Sequence, residues 1–181
     1  PTFAHIMNYN ALLQCLEAGL TCVEHGYDMD EKAAKIMVEQ GTWYIPTAVV
    51  TLFESRYMDS TNPMKEKAAQ AQVRVRNALK IAIANGVKMA VGTDSGCPYT
   101  NPDTYAFATE LELYTISGMN EMDTLVCATK KGAELLGIDD VTGTLEVGKI
   151  ADIVVIEGNP IEDISVVKNV IYTYKNGELV Y

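Results

Sequence analysis

Residues 20–26 read Leu-Thr-Cys-Val-Glu-His-Gly, an apolar and β-branched run that ends in a histidine followed by a glycine. Such a run predicts a buried β-strand with His25 at its carboxyl end. Residues 2–6 form a similar run that ends near His5, and a helical segment lies between the two. A strand, a helix and a second strand in this order predict one βαβ unit of a parallel sheet.

Two further strands and their helices follow. Residues 43–47 and 87–94 are predicted strands, helices are expected over 30–41 and 63–86, and the structure of 52–58 stays undecided. Four alternating units are half of an eight-stranded (β/α) barrel. The alternative is an open doubly wound sheet, but neither its G-x-G-x-x-G motif nor a P-loop occurs. The sequence therefore predicts an α/β fold in the form of a half-barrel.

The pattern changes in the last third of the chain. Two more helices are predicted at 105–117 and 122–136, followed by a strand-like stretch at 143–156. Residues 170–174 and 178–181 form a predicted hairpin around Asn-Gly, a favourable two-residue turn. The sequence thus predicts a partial barrel over 1–140 and a small β domain segment over 141–181, in which Asp152 anchors a loop.

Three side chains that can bind a metal ion are predicted at the carboxyl ends of different strands. They are His5, His25 and Asp94, and the active sites of (β/α) barrels lie at this face. Two imidazoles and a carboxylate suit Zn²⁺ or a similar ion that keeps one position open for water. Asp94 could act as the catalytic residue that moves the proton of this water to a leaving amine. One histidine at a strand end is more often structural, but both histidines of this chain occupy matching positions.

Four more residues are candidates for lining a substrate pocket at the same face. They are Tyr44, Thr47, Cys97 and Tyr99. Exposure on a loop is the alternative explanation for the aromatic side chains, since loops at this face also carry rings that contact only solvent.

Several motifs, in the right order, resemble those of the metal-dependent amidohydrolases, in particular the imidazolonepropionase-like and prolidase-like branch. They are VEHG at 23–26, PT at 46–47, GTDSG at 92–96, ATKKGAELLG at 128–137 and GTLEVGKIAD at 143–152. The resemblance runs from His5 to Tyr181. It departs at Met7, where the family has a second histidine, and at 101–105, where relatives often place a His-Gly pair.

The resemblance implies both a fold and a function. The chain would be the C-terminal half of a TIM (β/α)8 barrel, strands five to eight, with the C-terminal part of a small β-sandwich domain. His5 and His25 would be metal ligands on strands five and six, and Asp94 the ligand and proton shuttle of strand eight. The implied cofactor is Zn²⁺ or another divalent metal, one or two ions in the intact enzyme. The implied reaction is hydrolysis of a C–N bond in an amide, dipeptide or cyclic amide by a metal-activated water.

Deamination or the opening of a cyclic amide, in place of peptide hydrolysis, is one alternative, since the same metal site serves all three. A function without catalysis is another. The chain would then be a fragment or subunit that needs the N-terminal half of the same protein, or a homo-oligomer, to complete the barrel. A half-barrel leaves two strand edges unpaired, and such edges recruit a partner chain.

Composition narrows the expected partners. The 181 residues carry a net charge of −10, which argues against a nucleic-acid partner because phosphate binding depends on Lys and Arg. No run is long and apolar enough to predict a membrane span. The four cysteines are scattered without a C-x-x-C pair, which favours a reducing, cytoplasmic location. A small-molecule or dipeptide substrate is the remaining expected partner.

Overall fold

The computed structural model describes residues 1–97, 99–100 and 105–181 of the chain. Its first part is a parallel sheet whose strands follow the order of the chain: β1 Phe3–Ile6, β2 Cys22–His25, β3 Trp43–Ile45 and β4 Lys88–Met89. The connecting helices are α1 Tyr9–Glu17, α2 Glu31–Gln40, α3 Ala48–Tyr57 and α4 Lys65–Asn85. The α/β class is thereby confirmed, whereas the closure of this sheet into half of a barrel stays a prediction.

A helical segment and a second sheet follow. The helices are α5 Ala106–Ile116, α6 Glu121–Ala128 and α7 Lys130–Leu136. The strands, which pair antiparallel in chain order, are β5 Ile153–Ile156, β6 Val170–Lys175 and β7 Glu178–Leu179. A 3-10 helix at Ile164–Lys168 joins β5 to β6 and packs against α5. The boundary at residue 140 and the β-sandwich stay predictions.

The helix ends follow the capping residues of the sequence. Asn8 caps α1 by accepting a hydrogen bond from the N–H of Ala11, and Asp30 caps α2 by accepting one from Ala33 at 2.8 Å. Gly41 ends α2 in the left-handed conformation with φ 71°. The sequence offers Asn8 or Asn10 as the first cap and Asp28 or Asp30 as the second, and the structure shows Asn8 and Asp30 in these roles.

The core lies between the parallel sheet and its helices. Large side chains in it are fully buried, among them Leu12, Val23, Met37, Tyr44 and Leu79. Within the described ranges, none of the helices has both the length and the apolar character that crossing a membrane demands.

The fourth strand is shorter than the predicted strand at 87–94. The strand is Lys88–Met89, and its last bond to β3 runs from the N–H of Ala90 to the carbonyl of Tyr44 at 3.2 Å. The N–H of Val91 instead donates to the carbonyl of Cys127 near the end of α6, at 3.3 Å. The chain leaves the sheet here because its backbone finds a partner at a helix end. Asp94 therefore lies on the loop beyond the strand, not at the strand end.

The structure assigns one stretch that the sequence left undecided and corrects one helical prediction. Most of the undecided stretch 52–58 belongs to α3, whose valine-rich start hides the helical pattern because β-branched residues favour strands. The predicted helix 122–136 is two helices. Thr129 separates them because its backbone, with φ −125° and ψ −86°, is not helical.

The C-terminal hairpin contains the predicted turn and the predicted anchor. Asn176 and Gly177 both have positive φ, 54° and 80°, as a type I′ turn requires. The carboxylate of Asp152 accepts a hydrogen bond from the N–H of Asn176 at 2.8 Å and one from the ammonium of Lys175 at 2.6 Å. Asp152 thus anchors the loop as expected.

The strands of this second sheet are shorter than the sequence predicts. The stretch 143–156 is a strand only over Ile153–Ile156, because turns with positive φ at Gly143 and Gly148 precede it. The last strand ends at Leu179 and does not reach residue 181.

Gly26 combines a left-handed backbone, φ 51°, with close packing. A Cβ atom there would lie 2.9 Å from Cγ1 of Val23 and 3.0 Å from Cε2 of Tyr44. We expect Gly26→Ala to lower the free energy of unfolding by the backbone cost of about 1–2 kcal/mol plus about 1–3 kcal/mol for overpacking. Urea unfolding measures this loss.

Gly19→Ala is the matched control. Gly19 has φ 75° and nothing within 4 Å of an added Cβ, so only the backbone cost of about 1–2 kcal/mol is expected. Equal losses for the two variants would show that the contacts of Gly26 with Val23 and Tyr44 are unimportant.

Candidate metal centre

His25 is the last residue of β2, and hydrogen bonds from both neighbouring strands hold the backbone around it in place. It is 5% exposed and has a left-handed backbone with φ 67°, which is uncommon for a residue with a side chain. The hydroxyl of Tyr44, on the neighbouring strand, donates to the carbonyl of His25 at 2.9 Å. The N–H of Gly26 donates to the carbonyl of Ile6 on β1 at 2.9 Å. The strands on both sides therefore fix the turn that aims the imidazole.

The hydrogen bond between Nδ1 of His25 and the hydroxyl of Thr47 determines which ring nitrogen is free. Thr47 has one hydroxyl proton and donates it to the carbonyl of Pro46 at 2.8 Å. Both contacts of this hydroxyl are hydrogen bonds in one arrangement, in which it donates to Pro46 and accepts the Nδ1 proton of His25, so Nε2 of the neutral ring carries a lone pair. Burial, and next the neighbouring His5, lower the pKa of His25, while Asp94 acts in the opposite direction. A neutral imidazole with a free nitrogen is the form that binds a metal ion.

His5 lies beside His25 on the adjacent strand. The two ring centroids are 4.4 Å apart with an interplanar angle of 72°, an edge-on arrangement. The parallel register places His5 next to Glu24 and Ile6 next to His25. His5 is exposed whereas His25 is buried. The structure thus brings together the two histidines that the sequence predicts as ligands.

Asp94 lies at the same end of the sheet as the two histidines, but the hydrogen-bond partner of its carboxylate is Cys97. Its carboxylate accepts a hydrogen bond from the thiol of Cys97 at 3.1 Å, and its carbonyl accepts one from the N–H of Cys97 at 3.2 Å. Asp94 is exposed and has a left-handed backbone with φ 51°. Its charge is close enough to act on the pKa of His25.

The predicted trio does not form a complete metal site. Across residues 1–97, 99–100 and 105–181, no three His, Cys, Asp or Glu side chains are grouped so that they could hold a metal ion. The donor types nevertheless fit Zn²⁺, since two imidazoles are adjacent and one has a nitrogen fixed for coordination. The assignment of His5, His25 and Asp94 as ligands stays a prediction.

The four predicted substrate contacts differ in accessibility. Tyr44 is fully buried and Thr47 is 5% exposed. The hydroxyl of Tyr44 donates to the carbonyl of His25, and that of Thr47 donates to the carbonyl of Pro46. Their places in the structure favour support of His25 over direct contact with substrate. Cys97 and Tyr99 are half-buried on the loop after Asp94 and stay candidates for substrate contact.

Cys97 is a protonated thiol at neutral pH. The hydrogen bond to Asp94, followed by burial, raises its pKa to about 11. A thiol in this state is a poor nucleophile. The stretch 101–105, which lacks the His-Gly pair of related sequences, lies outside the described residues except for Tyr105.

Glu110 is a residue of the centre that the sequence did not indicate. It lies on α5, is 0% exposed, and accepts hydrogen bonds from the N–H groups of Ala48 at 3.0 Å and Val49 at 2.7 Å. Burial raises its pKa to about 8, and the two N–H donors act in the opposite direction. One signal was available: Glu110 stands on the apolar stripe of its helix, four residues after Ala106 and four before Tyr114.

Known proteins are similar to this chain, some over almost its whole length and others over part of it. The model of the Amidohydrolase family matches residues 2–180. Ochratoxinase of Aspergillus niger is 30% identical over 184 residues, which cover 97% of this chain and 37% of that protein. Imidazolonepropionase of Mesorhizobium japonicum is 44% identical over 71 residues, which cover 39% of this chain and 17% of that protein.

A solved structure shares the fold. An Xaa-Pro dipeptidase with methionine bound in its active site is 34% identical and superimposes with a TM-score of 0.89, covering 98% of this chain and 44% of that one. The chain therefore spans less than half the length of the relatives that it matches.

Thr47→Val tests the hydrogen bond that fixes the tautomer of His25. Valine keeps the shape of threonine but cannot accept the Nδ1 proton, so we expect the protonated fraction of Nδ1 to fall. ¹⁵N NMR of the imidazole in the metal-free protein at neutral pH measures this fraction.

Thr51→Val is the matched control, since among the residues that the structure describes the hydroxyl of Thr51 bonds only the carbonyl of Ala48 in the same helix, at 2.9 Å. It should leave the His25 signals unchanged. An unchanged tautomer in Thr47→Val would contradict the assignment.

Proposed function

This chain belongs to the amidohydrolase family, as its motifs predict, and on that premise we propose that the protein hydrolyses C–N bonds in amides or dipeptides. The observation that carries the proposal is the pair of adjacent histidines, one of which has a fixed tautomer with a free Nε2. Fixing the second nitrogen of a ligating histidine is a typical property of metal centres. Relatives named Xaa-Pro dipeptidase and ochratoxinase support an amide or dipeptide substrate.

The residues that would hold the metal are His5, His25 and Asp94. A bound Zn²⁺ or another divalent ion, one or two in the intact enzyme, supplies a water acidic enough to attack near neutral pH. His25 contributes a buried and neutral imidazole, and His5 a second imidazole on the solvent side. Further ligands would come from outside these three residues, since the described part of the chain does not assemble a full set.

Asp94 is the proposed proton carrier. Its carboxylate is exposed at the carboxyl end of the sheet, where it can take a proton from the attacking water and deliver it to the leaving nitrogen. The thiol of Cys97 donates to one oxygen of this carboxylate and so restricts its orientation. Cyclic amides fit the same chemistry, and the similarity to an imidazolonepropionase supports them as a second substrate type.

Completion of the parallel sheet by residues from outside this chain is also proposed. β1 and β4 are the edges of the parallel sheet in the described part of the chain, and edge strands offer unpaired N–H and C=O groups. The second sheet also exposes large apolar side chains, with Val154 at 56% and Leu179 at 58%. The proposed partner is the N-terminal half of the same protein, which would supply the remaining strands and ligands.

A cytoplasmic location completes the proposal. All four cysteines are free thiols, two of them buried, and this supports a reducing compartment.

Asp94→Asn tests the proton carrier. The amide keeps the size of the side chain but cannot accept a proton, so kcat of the intact enzyme on an amide or dipeptide should fall about 10²- to 10⁴-fold. Asp139→Asn, an exposed acidic residue after α7, is the control for the loss of one negative charge and should leave kcat unchanged. Full turnover in Asp94→Asn would exclude Asp94 from proton transfer.

The partner proposal predicts the behaviour of residues 1–181 by themselves. We expect them to elute from a sizing column above the monomer mass and to retain less than one equivalent of zinc after dialysis, since edges and ligand set are both incomplete. Size-exclusion chromatography and elemental analysis measure the two quantities. A monomer that holds one equivalent of zinc would rule out the need for a partner.

A further inference from the structure

Glu110 occupies an unusual place for a carboxylate. Among the described residues it is the one Asp or Glu that is buried, and it makes no ion pair there. Its two oxygens accept from the first two N–H groups of α3, those of Ala48 and Val49, which are about sixty residues away in the chain. These N–H groups have no partner within the helix, so an acceptor must come from elsewhere.

Thr47 is the residue that would ordinarily supply this acceptor. It stands at the N-cap position of α3, and the hydroxyl of a threonine at this position commonly bonds the N–H groups of the first turn. Here it makes no such bond. Its hydroxyl donates to Pro46 and accepts from His25, and its backbone is left-handed with φ 47°.

The bonds of Glu110 and those of Thr47 therefore have different roles. Glu110 satisfies the N-terminal N–H groups of α3, and the hydroxyl of Thr47 is thereby left for the imidazole of His25. A left-handed backbone at a β-branched residue persists only when its surroundings enforce it. The contacts of Glu110 with the two residues after Thr47 provide that enforcement.

We propose that Glu110 is a positioning residue for the metal centre, which acts through Thr47 to keep the proton of His25 on Nδ1 and Nε2 free. The inference rests on the proposed function in one respect, namely that Nε2 of His25 binds the metal. Glu110 touches neither substrate nor metal, and its effect on the centre passes through the start of α3.

The test compares Glu110→Gln with Thr47→Val and with the double variant, in the intact protein. Glutamine keeps the shape of the side chain but offers one acceptor oxygen in place of two. ¹⁵N NMR of His25 without metal should show a reduced Nδ1-protonated fraction in Glu110→Gln. Zinc affinity, measured by competition with a chelator, should fall about 10- to 100-fold, as for other residues that orient a ligating histidine.

The double variant separates positioning from simple helix stabilisation. If Glu110 acts through Thr47, the double variant binds zinc no more weakly than Thr47→Val alone. Additive losses would overturn the proposal, and so would an unchanged His25 tautomer in a folded Glu110→Gln protein. Thr51→Val, which removes a hydroxyl contact from the same first turn of α3, controls for helix destabilisation and should leave the tautomer unchanged.

If Glu110→Gln does not fold, Glu110→Asp provides the same test. Aspartate retains the carboxyl group but is one methylene shorter, so it cannot reach both N–H groups, and the same change in the His25 tautomer is expected. The NMR measurement also separates this inference from the proposed function. A wild-type protein that binds no zinc contradicts the function, whereas a tautomer that ignores Glu110 contradicts the positioning role.

Discussion

The hydrogen bond between His25 and Thr47 joins the ends of two neighbouring parallel strands, and the candidate centre depends on it. It requires the register in which Val23 lies beside Tyr44, because a shift by one residue would turn the side chains to the opposite face. It also requires left-handed backbone at both residues. The bond from Tyr44 to the carbonyl of His25 strengthens the same junction. The free nitrogen of His25 and its contact with His5 follow from this arrangement.

The parts of the structure that depend on neighbours in the chain could be predicted from the sequence. Asn8 and Asp30 cap helices through contacts three residues away, and the Asn-Gly pair at 176–177 forms a turn by its own backbone preferences. The proximity of His5 and His25 was also predictable, since consecutive strands of a parallel sheet end at the same edge.

The parts that depend on distant contacts could not be predicted. Strand β4 ends early because Val91 bonds Cys127, thirty-six residues further on, and no local signal records that contact. The spacing of Glu110 from Ala106 and Tyr114 indicates that it is buried, but no sequence pattern indicates that its partners are the N–H groups at the start of α3.

The separation of His25 from the loop after Asp94 has an evolutionary consequence. In the described part of the chain, the side chains that bond His25 are those of Tyr44 and Thr47, and the loop contributes none. Loops at this end of an α/β fold usually determine which substrate enters, and they tolerate insertions well. Selection can therefore lengthen or recompose this loop for a new substrate while the imidazole keeps its tautomer. One scaffold could in this way give rise to enzymes with different specificities without rebuilding their histidines.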